Sequence, residues 1–369
     1  MVDYLNDRRA VMTLDAGGTK FSFSAVKGCA QVVEPLTVPS NGHDLDLCLK
    51  GIVDGFRYVE RSLGERPAAI SFAFPGPSYY RDGVIGDLSN LPAFRGGVAL
   101  GPMLRDMFGV PVYINNDGDL YAYGEAISGF LPWLNGRLEA AVSPRRFRNL
   151  LGITLGTGFG AGIVCDGKMY MGDNGIAAEV WTMNNRYFPD TNIEEIVSIR
   201  AVRRFYADIM GIDPSEAPTP KDIYGYGLEQ GGPRRDAALE AYRIMGRSLG
   251  DVLSDLMTAT DSVAVIGGGV AGARALFMPA ALEEMRSRFA SSGVARLWQR
   301  VYDLDNEAEL NEFLKGDVRE AKVPFSDKTV LYDAALRLGV GFSRIGTSRA
   351  ISIGAYAFAL DSLDGHRSE

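Results

Sequence analysis

Two glycine-rich turns, each between two apolar runs, are the segments of this sequence best suited to chemistry. The first is Leu14-Asp15-Ala16-Gly17-Gly18-Thr19-Lys20, and the second is Leu155-Gly156-Thr157-Gly158-Phe159-Gly160. Apolar runs on both sides of residues that tolerate a positive φ predict a strand, a turn and a second strand. Backbone N–H groups in such a turn can bind an anion, together with a threonine hydroxyl. Two such turns predict two similar lobes that face one phosphate chain.

Carboxylates, lysines and tyrosines are the candidates for acid–base chemistry in this sequence. The sequence has only two histidines and three scattered cysteines, so a histidine-based triad or a multi-histidine metal site is nearly excluded. Asp117 follows Asn116 just after the predicted strand 110–114, and open α/β sheets bind ligands at such strand ends. Asp117 is therefore the candidate general base, and the alternative is that it caps the next helix. Asp15, just before the first glycine pair, is from its residue type alone a turn-forming aspartate.

The elements that must position these residues alternate between helix and strand. Hydrophobic periodicity predicts buried strands at 69–74, 110–114 and 262–266. It predicts helices at 44–63, 97–108, 120–128, 194–210, 235–259 and 348–363. Two less regular, charged stretches near 131–149 and 296–327 are interpreted as insertions. The alternation predicts an α/β protein.

Composition limits the classes of protein to which the chain can belong. Its 369 residues exceed a single typical core, which favours two domains. A net charge of −8 argues against a general nucleic-acid or anionic-membrane binder. No apolar run approaches the roughly 18–20 residues that span a bilayer, and the N-terminus lacks the apolar core of a signal peptide. We therefore expect a cytoplasmic protein whose cysteines are structural thiols.

Two further glycine motifs resemble other phosphate-binding signatures. Residues 162–169 nearly match the P-loop, but Met169 stands where a serine or threonine must bind magnesium. Residues 267–272 fit the dinucleotide fingerprint, yet the acid expected about 20 residues later should end a second strand, and residues 283–288 are predicted to be helical. Both readings are rejected. The glycines of the second motif still suit a backbone that a flat ligand such as adenine approaches closely.

The order of these motifs resembles the sugar kinases of the ROK (repressor, open reading frame, kinase) family, within the actin and hexokinase fold. The matching pieces are residues 14–20, Pro75-Gly76 with Asn90-Leu91-Pro92, Asn116-Asp117 with Gly124-Glu125, residues 155–160, Ala178-Glu179 and residues 266–270. The resemblance covers residues 11–360 apart from the two insertions. It implies an α/β, actin/hexokinase-like (ribonuclease H-like) fold with two lobes. The small lobe is expected at 1–117 plus about 348–369, and the larger one at 118–347.

The resemblance also implies a reaction and its residues. The reaction is ATP-dependent phosphorylation of a hexose or related sugar, with Asp117 taking the proton of the hydroxyl and Asp15 holding Mg²⁺ through water. The implied sugar contacts are Asn90, Asn116, Asp117, Glu179 and Glu194. The implied nucleotide contacts are Asp15, Gly17, Gly18, Thr19, Gly156, Thr157, Gly158, Gly267, Gly268 and Gly269. The alternative for any one of these glycines is an ordinary tight turn.

The expected sugar end departs from the family pattern. Family kinases commonly carry Glu-x-His where this sequence reads Glu179-Val180-Trp181, and the cysteines of the family's zinc segment are missing before Glu194. We therefore expect no zinc. Trp181 can only donate a hydrogen bond, and its ring either stacks on a sugar or fills core space. For Glu194, the alternative to a sugar contact is an acid in the first turn of a helix.

Three classes of function follow from this comparison. The first is a glucokinase-like hexose kinase, with glucose as the default substrate, no nucleic-acid or membrane partner, and a homodimer compatible with the resemblance. The second is a transcriptional repressor, which the ten residues before Val11 argue against because they are too few for a helix-turn-helix. The third is a non-catalytic sugar or nucleotide sensor, which the loss of the family histidine keeps open. Retention of Asp15, Asn116 and Asp117 favours the enzyme.

Overall fold

A computed structural model describes residues 3–76, 79–88 and 91–365 and shows strands and helices in alternation. The strands are β1 Val11–Ala16, β2 Lys20–Lys27, β3 Ala30–Gln31, β4 Leu36–Pro39, β5 Ala69–Ala73, β6 Val112–Asn115, β7 Leu150–Leu155, β8 Phe159–Cys165, β9 Lys168–Met169, β10 Asn184–Asn185, β11 Phe188–Asn192, β12 Val263–Gly267, β13 Arg300–Asp303, β14 Val318–Lys322, β15 Thr329–Asp333 and β16 Arg337–Phe342. The α-helices are α1 Leu45–Leu63, α2 Leu100–Phe108, α3 Asp117–Ile127, α4 Phe130–Ala140, α5 Ile199–Met210, α6 Pro220–Gly227, α7 Pro233–Thr260, α8 Arg274–Met285, α9 Glu307–Lys315 and α10 Thr347–Gly365.

The chain divides into two compact units. Unit 1 takes its described residues from 1–131, 162–178 and 345–369, and unit 2 comprises 132–161 and 179–344. The domain boundary expected from the sequence at residue 117 lies elsewhere, since residues 118–131 and 162–178 group with unit 1. Helix α3 accounts for part of this difference, because it packs closely on α10.

The sheet of unit 1 brings three strand ends to one edge. Its order is β3-β2-β1-β5-β6, with β4 also paired to β2. Strands β1, β5 and β6 are parallel, and β1 and β2 form the antiparallel hairpin predicted around the first glycine turn. Fully buried phenylalanines, among them Phe23, Phe56 and Phe72, pack edge-to-face or tilted between this sheet and α1. Because β1, β5 and β6 are parallel, their carboxyl ends lie at the same edge of the sheet, which is where ligands usually bind.

Glycines allow α3 and α10 to approach each other at backbone distance. A Cβ at Gly124 would stand 1.8 Å from the carbonyl oxygen of Ala350, and one at Gly354 would stand 1.9 Å from that of Leu120. No larger side chain fits at either position without moving a helix. The Gly124-Glu125 motif of the sequence thus has a structural explanation, and Glu125 is fully buried with Oε2 accepting from the N–H of Phe130 at 2.7 Å.

Replacing Gly354 with alanine is expected to lower the free energy of unfolding by about 3 kcal/mol, because overpacking must separate α3 from α10. The matched control is Gly136→Ala in α4. A Cβ there meets nothing within 4 Å, and the better helix propensity of alanine should raise stability by about 1 kcal/mol. Denaturant unfolding of both variants measures the difference. A Gly354→Ala variant as stable as the wild type would contradict the close helix packing.

The sheet of unit 2 has a parallel core in the order β13-β16-β12-β7. Residues 156–158 link β7 to its sheet neighbour β8, as predicted, and the chain passes from unit 2 to unit 1 within β8. Strand β13 lies in the stretch interpreted as an insertion at 296–327, so that stretch contributes to the core sheet. The other insertion, near 131–149, contains most of α4.

Most predicted elements are present, with shifted ends. The helix expected at 194–210 begins at Ile199, because residues Ile193–Glu195 form a separate 3₁₀ turn. The rejection of the P-loop is confirmed, since residues 162–169 form part of β8, a tight turn and β9 rather than a turn that opens a helix. Among the helices in the described part of the chain, none is long and apolar enough to cross a membrane.

Candidate functional site

Asp15 and the start of α3 lie at the same edge of the unit 1 sheet. Asp15 is in register with Ala73, and Ala73 is in register with Asn115, across β1, β5 and β6. At a strand spacing of about 4.8 Å, the backbones of Asp15 and Asn115 are about 10 Å apart. Asp117 follows two residues after Asn115, and the side chains of Asp15 and Asp117 are both exposed. The structure therefore brings the two predicted carboxylates to one edge.

Asn116, rather than Asp117, caps α3. Its Oδ1 accepts a hydrogen bond from the N–H of Gly118 at 2.7 Å, and its backbone is extended at φ −68°. Asp117 is the first residue of the helix, and its Oδ1 lies 2.9 Å from the same N–H. The alternative that Asp117 serves as the cap is wrong, because an asparagine amide oxygen fills that position. The charge of Asp117 is thus not needed to begin the helix.

The pKa of Asp117 is raised above the ordinary aspartate value. The main cause is desolvation: water reaches the carboxylate, yet dense protein around it weakens its hydration. Hydrogen bonds from the N–H groups of Gly118 and of Asp117 itself act in the opposite direction, and the charge of Asp15 raises the pKa further. A carboxylate with a raised pKa is a better proton acceptor than an ordinary aspartate.

Gly162 of β8 fixes the first turn of α3 from one side. A Cβ at this position would stand 2.3 Å from the carbonyl oxygen of Gly118 and 2.7 Å from the Cα of Asp119. Only glycine lets the strand run this close to the helix. The orientation of Asp117 therefore depends on a glycine that the sequence analysis treated only as part of a rejected P-loop.

The first glycine turn is exposed and tightly closed. The N–H of Gly17 donates to the carbonyl oxygen of Lys20 at 3.0 Å. Ser40, the residue after β4, supports the turn: its Oγ donates to the oxygen of Gly18 at 2.7 Å and its N–H donates to that of Thr19 at 3.1 Å. Gly17, Gly18 and Thr19 thus follow Asp15 on one exposed turn. No sequence pattern pointed to Ser40.

Two glycine segments of unit 2, residues 156–158 and 267–269, lie next to each other, because they lie at the ends of the paired strands β7 and β12. Gly268 has φ +88°, and a Cβ there would stand 2.2 Å from the carbonyl oxygen of Leu155. This glycine is required by the fold. In contrast, a Cβ at Gly156 or Gly269 would meet nothing within 4 Å, and neither residue has a positive φ. At those two positions no packing or strain explains the glycine.

Glu194 is held against the second glycine turn. Its Oε2 accepts from the N–H of Phe159 at 3.0 Å, and Arg200 donates to its Oε1 at 2.9 Å. A Cβ at Gly158 would stand 2.7 Å from the same Oε2. Glu194 belongs to the 3₁₀ turn before α5, so it is not an acid in the first turn of that helix. Its carboxylate therefore links the turn 156–158 to the segment that precedes α5.

Trp181 holds the carboxylate of Glu179. Its indole Nε1 donates to Glu179 Oε2 at 2.6 Å, within the 3₁₀ turn Val180–Thr182 and the residue before it. The Trp181 side chain is 36% exposed, so the alternative that it fills core space is wrong. The ring presents an apolar face beside a carboxylate, which is a combination that suits a sugar.

The remaining predictions are the sugar contact Asn90, the lack of zinc and the Mg²⁺ ligand Asp15. Asn90 lies outside the described residues. Within residues 3–76, 79–88 and 91–365, no three histidine, cysteine, aspartate or glutamate side chains cluster as a metal site. The expectation of no zinc stays a prediction from the sequence. For Mg²⁺, the exposed Asp15 carboxylate offers a hard oxygen ligand, and its repulsion with Asp117 is of the kind a divalent cation relieves. These residues fit that ion.

Comparisons with known proteins identify the family of this chain. A family model described as the ROK family matches residues 11–306. A solved structure of glucokinase from Parabacteroides distasonis is 49% identical, with 98% of this chain and 99% of that one covered and a TM-score of 0.88. N-acetyl-D-glucosamine kinase from Photobacterium profundum is 32% identical over 45% of this chain, and glucokinase from Streptomyces coelicolor is 29% identical over 53%. The chain spans about half the length of the first of these two relatives and 62% of the second. The predicted fold class is confirmed.

Proposed function

Because this chain belongs to the ROK family, we propose that it is an ATP-dependent sugar kinase of the glucokinase type. The relatives named glucokinase and N-acetyl-D-glucosamine kinase support a sugar hydroxyl as the acceptor. The observation that carries the proposal is the exposed Asp117 carboxylate, with its raised pKa, at the same sheet edge as Asp15. A sensor has no need of a carboxylate with these properties.

Asp117 acts as the general base in this proposal. Its carboxylate accepts the proton of the sugar hydroxyl while the hydroxyl oxygen forms a bond to the γ-phosphorus of ATP. The bond between that phosphorus and the oxygen bridging to the β-phosphate breaks, and the electron pair leaves on ADP. The first turn of α3, fixed by the Asn116 cap and by the close approach of Gly162, orients the carboxylate for this transfer.

The nucleotide is bound by the glycine segments and by Asp15. Backbone N–H groups of the turns 17–19 and 156–158 suit phosphate oxygens, and the open space at Gly156 and Gly269 admits a ligand against the backbone. Asp15 would hold Mg²⁺ through water, and that ion, when bound, neutralises phosphate charge. The proposal needs ATP, Mg²⁺ and a sugar. It also takes the enzyme to be cytoplasmic, as expected from the sequence, and homodimeric, as the family resemblance implies.

The sugar is bound through Glu179, Glu194, Asn116 and Asn90 in this proposal. Glucose is the first candidate substrate, because the 49% identical structure is of a protein named glucokinase. N-acetyl-D-glucosamine is the second, because relatives of that name match a long stretch of the chain. The Trp181 indole donates to one oxygen of Glu179 and thereby holds this carboxylate in one orientation.

The test is ADP release by the purified protein with Mg²⁺-ATP and a panel of hexoses, N-acetylhexosamines and no sugar. We expect release that depends on glucose or N-acetylglucosamine. Binding of a sugar or nucleotide by calorimetry, with no turnover on any member of the panel, would instead support the sensor.

Replacing Trp181 with phenylalanine removes the donor to Glu179 and keeps an aromatic ring. We expect the KM of the sugar to rise about tenfold, because Glu179 loses the bond that orients its carboxylate. A hydrogen bond to a charged group contributes about 1.5–3 kcal/mol. The value of kcat should change less than about twofold, since Trp181 does not touch the transferred phosphate. Steady-state kinetics with varied sugar measures both constants. The matched control, Trp298→Phe, alters an indole that is 83% exposed and should leave both unchanged. Equal KM values for the two variants would contradict the role of Trp181.

A further inference from the structure

A group of paired charges lies between α7 and α8 of unit 2, and none of its members has been discussed above. We call it the arginine–carboxylate cluster, and its members are Arg186, Asp251, Glu284 and Arg296. The side chains of Asp251, Glu284 and Arg296 are only 5–6% exposed. Arg296 bridges the two carboxylates, with one nitrogen bonded to Asp251 and the other 3.1 Å from Glu284 Oε1. Two acids and one arginine are therefore already joined inside the unit.

The fourth member, Arg186, comes from the two-residue turn between β10 and β11. Its Nε lies 3.3 Å from Asp251 Oδ1, and its guanidinium also bonds to Glu284. The neighbours of Arg186 contact the same acids: Tyr187 donates its hydroxyl to Glu284 Oε2 at 2.5 Å, and Asn185 donates to Asp251 Oδ2 at 3.1 Å. Three consecutive residues thus fasten the tip of this hairpin to α7 and α8.

The base of the same hairpin joins the two segments that carry the proposed sugar ligands. The N–H of Ile193, at the start of the 3₁₀ turn that carries Glu194, donates to the oxygen of Met183 at 2.8 Å. The N–H of Met183 in turn donates to the oxygen of Val180, the residue after Glu179, at 2.9 Å. Glu179 and Glu194 are therefore positioned by opposite ends of one hairpin.

We propose that the arginine–carboxylate cluster positions Glu179 and Glu194, and that Arg186 is the positioning residue through which it does so. This inference rests on the proposed function. Burying paired charges contributes little net stability, since desolvation offsets the attraction. The cluster instead fixes the hairpin tip in one position on α7 and α8, because Arg186 must reach both Asp251 and Glu284 at once. A hairpin this short, with strands of two and five residues, is not stable by itself and needs such an anchor.

Arg186 is the member to replace, because its side chain is 41% exposed and its loss leaves both acids paired with Arg296. We expect Arg186→Met to fold, to raise the KM of the sugar about tenfold, and to change kcat less than about twofold. We also expect faster hydrogen exchange at the amides of Ile193 and Phe159, the second of which donates to Glu194. Arg186→Lys should recover part of both effects, since an ammonium reaches one carboxylate but cannot bridge two.

The matched control is Arg243→Met, which breaks an exposed pair with Glu240 on α7 and should change neither readout. Unchanged exchange at Ile193 in Arg186→Met would overturn the inference. If that variant does not fold, Tyr187→Phe removes only one donor to Glu284, and unchanged exchange in that variant overturns the inference equally. Faster exchange in Arg186→Met, together with no sugar-dependent ADP release by the wild type, would support the anchor and reject the proposed function, so the two failures are distinguishable.

Discussion

Replacing Asp117 with asparagine is expected to lower kcat for sugar phosphorylation by about 10²- to 10⁴-fold, which is the usual contribution of a general base. The variant keeps the size and shape of the side chain and loses its ability to accept a proton. The KM values for ATP and sugar should change much less than kcat. Steady-state kinetics with saturating ATP and Mg²⁺ measures the loss.

The fold should tolerate this change, because Asn116 provides the cap of α3. The folded-state pKa of Asp117 is raised, so the folded protein disfavours the charged form. A group of this kind lowers stability as pH rises through the gap between its unfolded and folded pKa values. An uncharged asparagine should therefore leave the melting temperature unchanged or slightly higher.

The same carboxylate sets the expected pH dependence. Asp117 must be ionised to accept a proton, so kcat/KM of the wild type should fall as pH drops through the pKa of Asp117. Because that pKa is raised, the fall should occur above the ordinary aspartate value of about 3.9. The matched control is Asp46→Asn, an exposed acid in the first turn of α1, which should keep the wild-type rate and profile. Full activity in Asp117→Asn would contradict the assignment of the base.

Replacing Gly268 with alanine is expected to lower the free energy of unfolding by about 4 kcal/mol. Two costs add: the positive φ of +88° is unfavourable for alanine, and its Cβ would overlap the oxygen of Leu155 at 2.2 Å. Gly269→Ala, one residue later, should leave stability within about 0.5 kcal/mol, because its Cβ meets nothing within 4 Å. Denaturant unfolding of the two neighbours measures the contrast.

Gly268→Ala and Gly269→Ala also distinguish a glycine that the fold requires from one that nucleotide binding requires. If the nucleotide approaches the backbone at Gly269, the added methyl group should raise the KM of ATP about tenfold in a protein of normal stability. Gly272→Ala is the matched control: a Cβ there also meets nothing within 4 Å, and we expect this variant to change neither the stability nor the KM of ATP. An unchanged KM for ATP in Gly269→Ala would show that the nucleotide does not contact this position.

The sequence was sufficient to predict local elements and the residues at strand ends. The alternation of apolar runs with glycine turns predicted β1, β2, β7 and β8. The helix predicted at 120–128 is present as α3, which begins three residues earlier, at Asp117. These features depend on residues that are neighbours along the chain, so periodicity and turn chemistry reveal them. The sequence offered Asp117 as the cap of α3, whereas the structure has Asn116 in that position. Sequence patterns locate the end of a helix only to within one or two residues, so they could not distinguish these neighbours.

Contacts between distant residues could not be predicted in the same way. The bond from Phe159 to Glu194 joins positions 35 residues apart, and the cluster around Asp251 and Glu284 recruits Arg186 from a two-residue turn. Nothing in the composition near Arg186 distinguishes it from the other surface arginines. Only the packing of α7 on α8 determines which arginines become partners of the buried acids.

The central claim is that this chain transfers a phosphoryl group from ATP to a sugar hydroxyl with Asp117 as the base. The most direct test is ³¹P NMR of the products formed from Mg²⁺-ATP with glucose, and separately with N-acetylglucosamine, by the wild type and by Asp117→Asn. We predict a sugar phosphate that accumulates in equal amount to ADP in the wild type, at least about 100-fold more slowly in the variant. Release of inorganic phosphate alone, or no ATP consumption by a protein that binds the sugar, would contradict the claim.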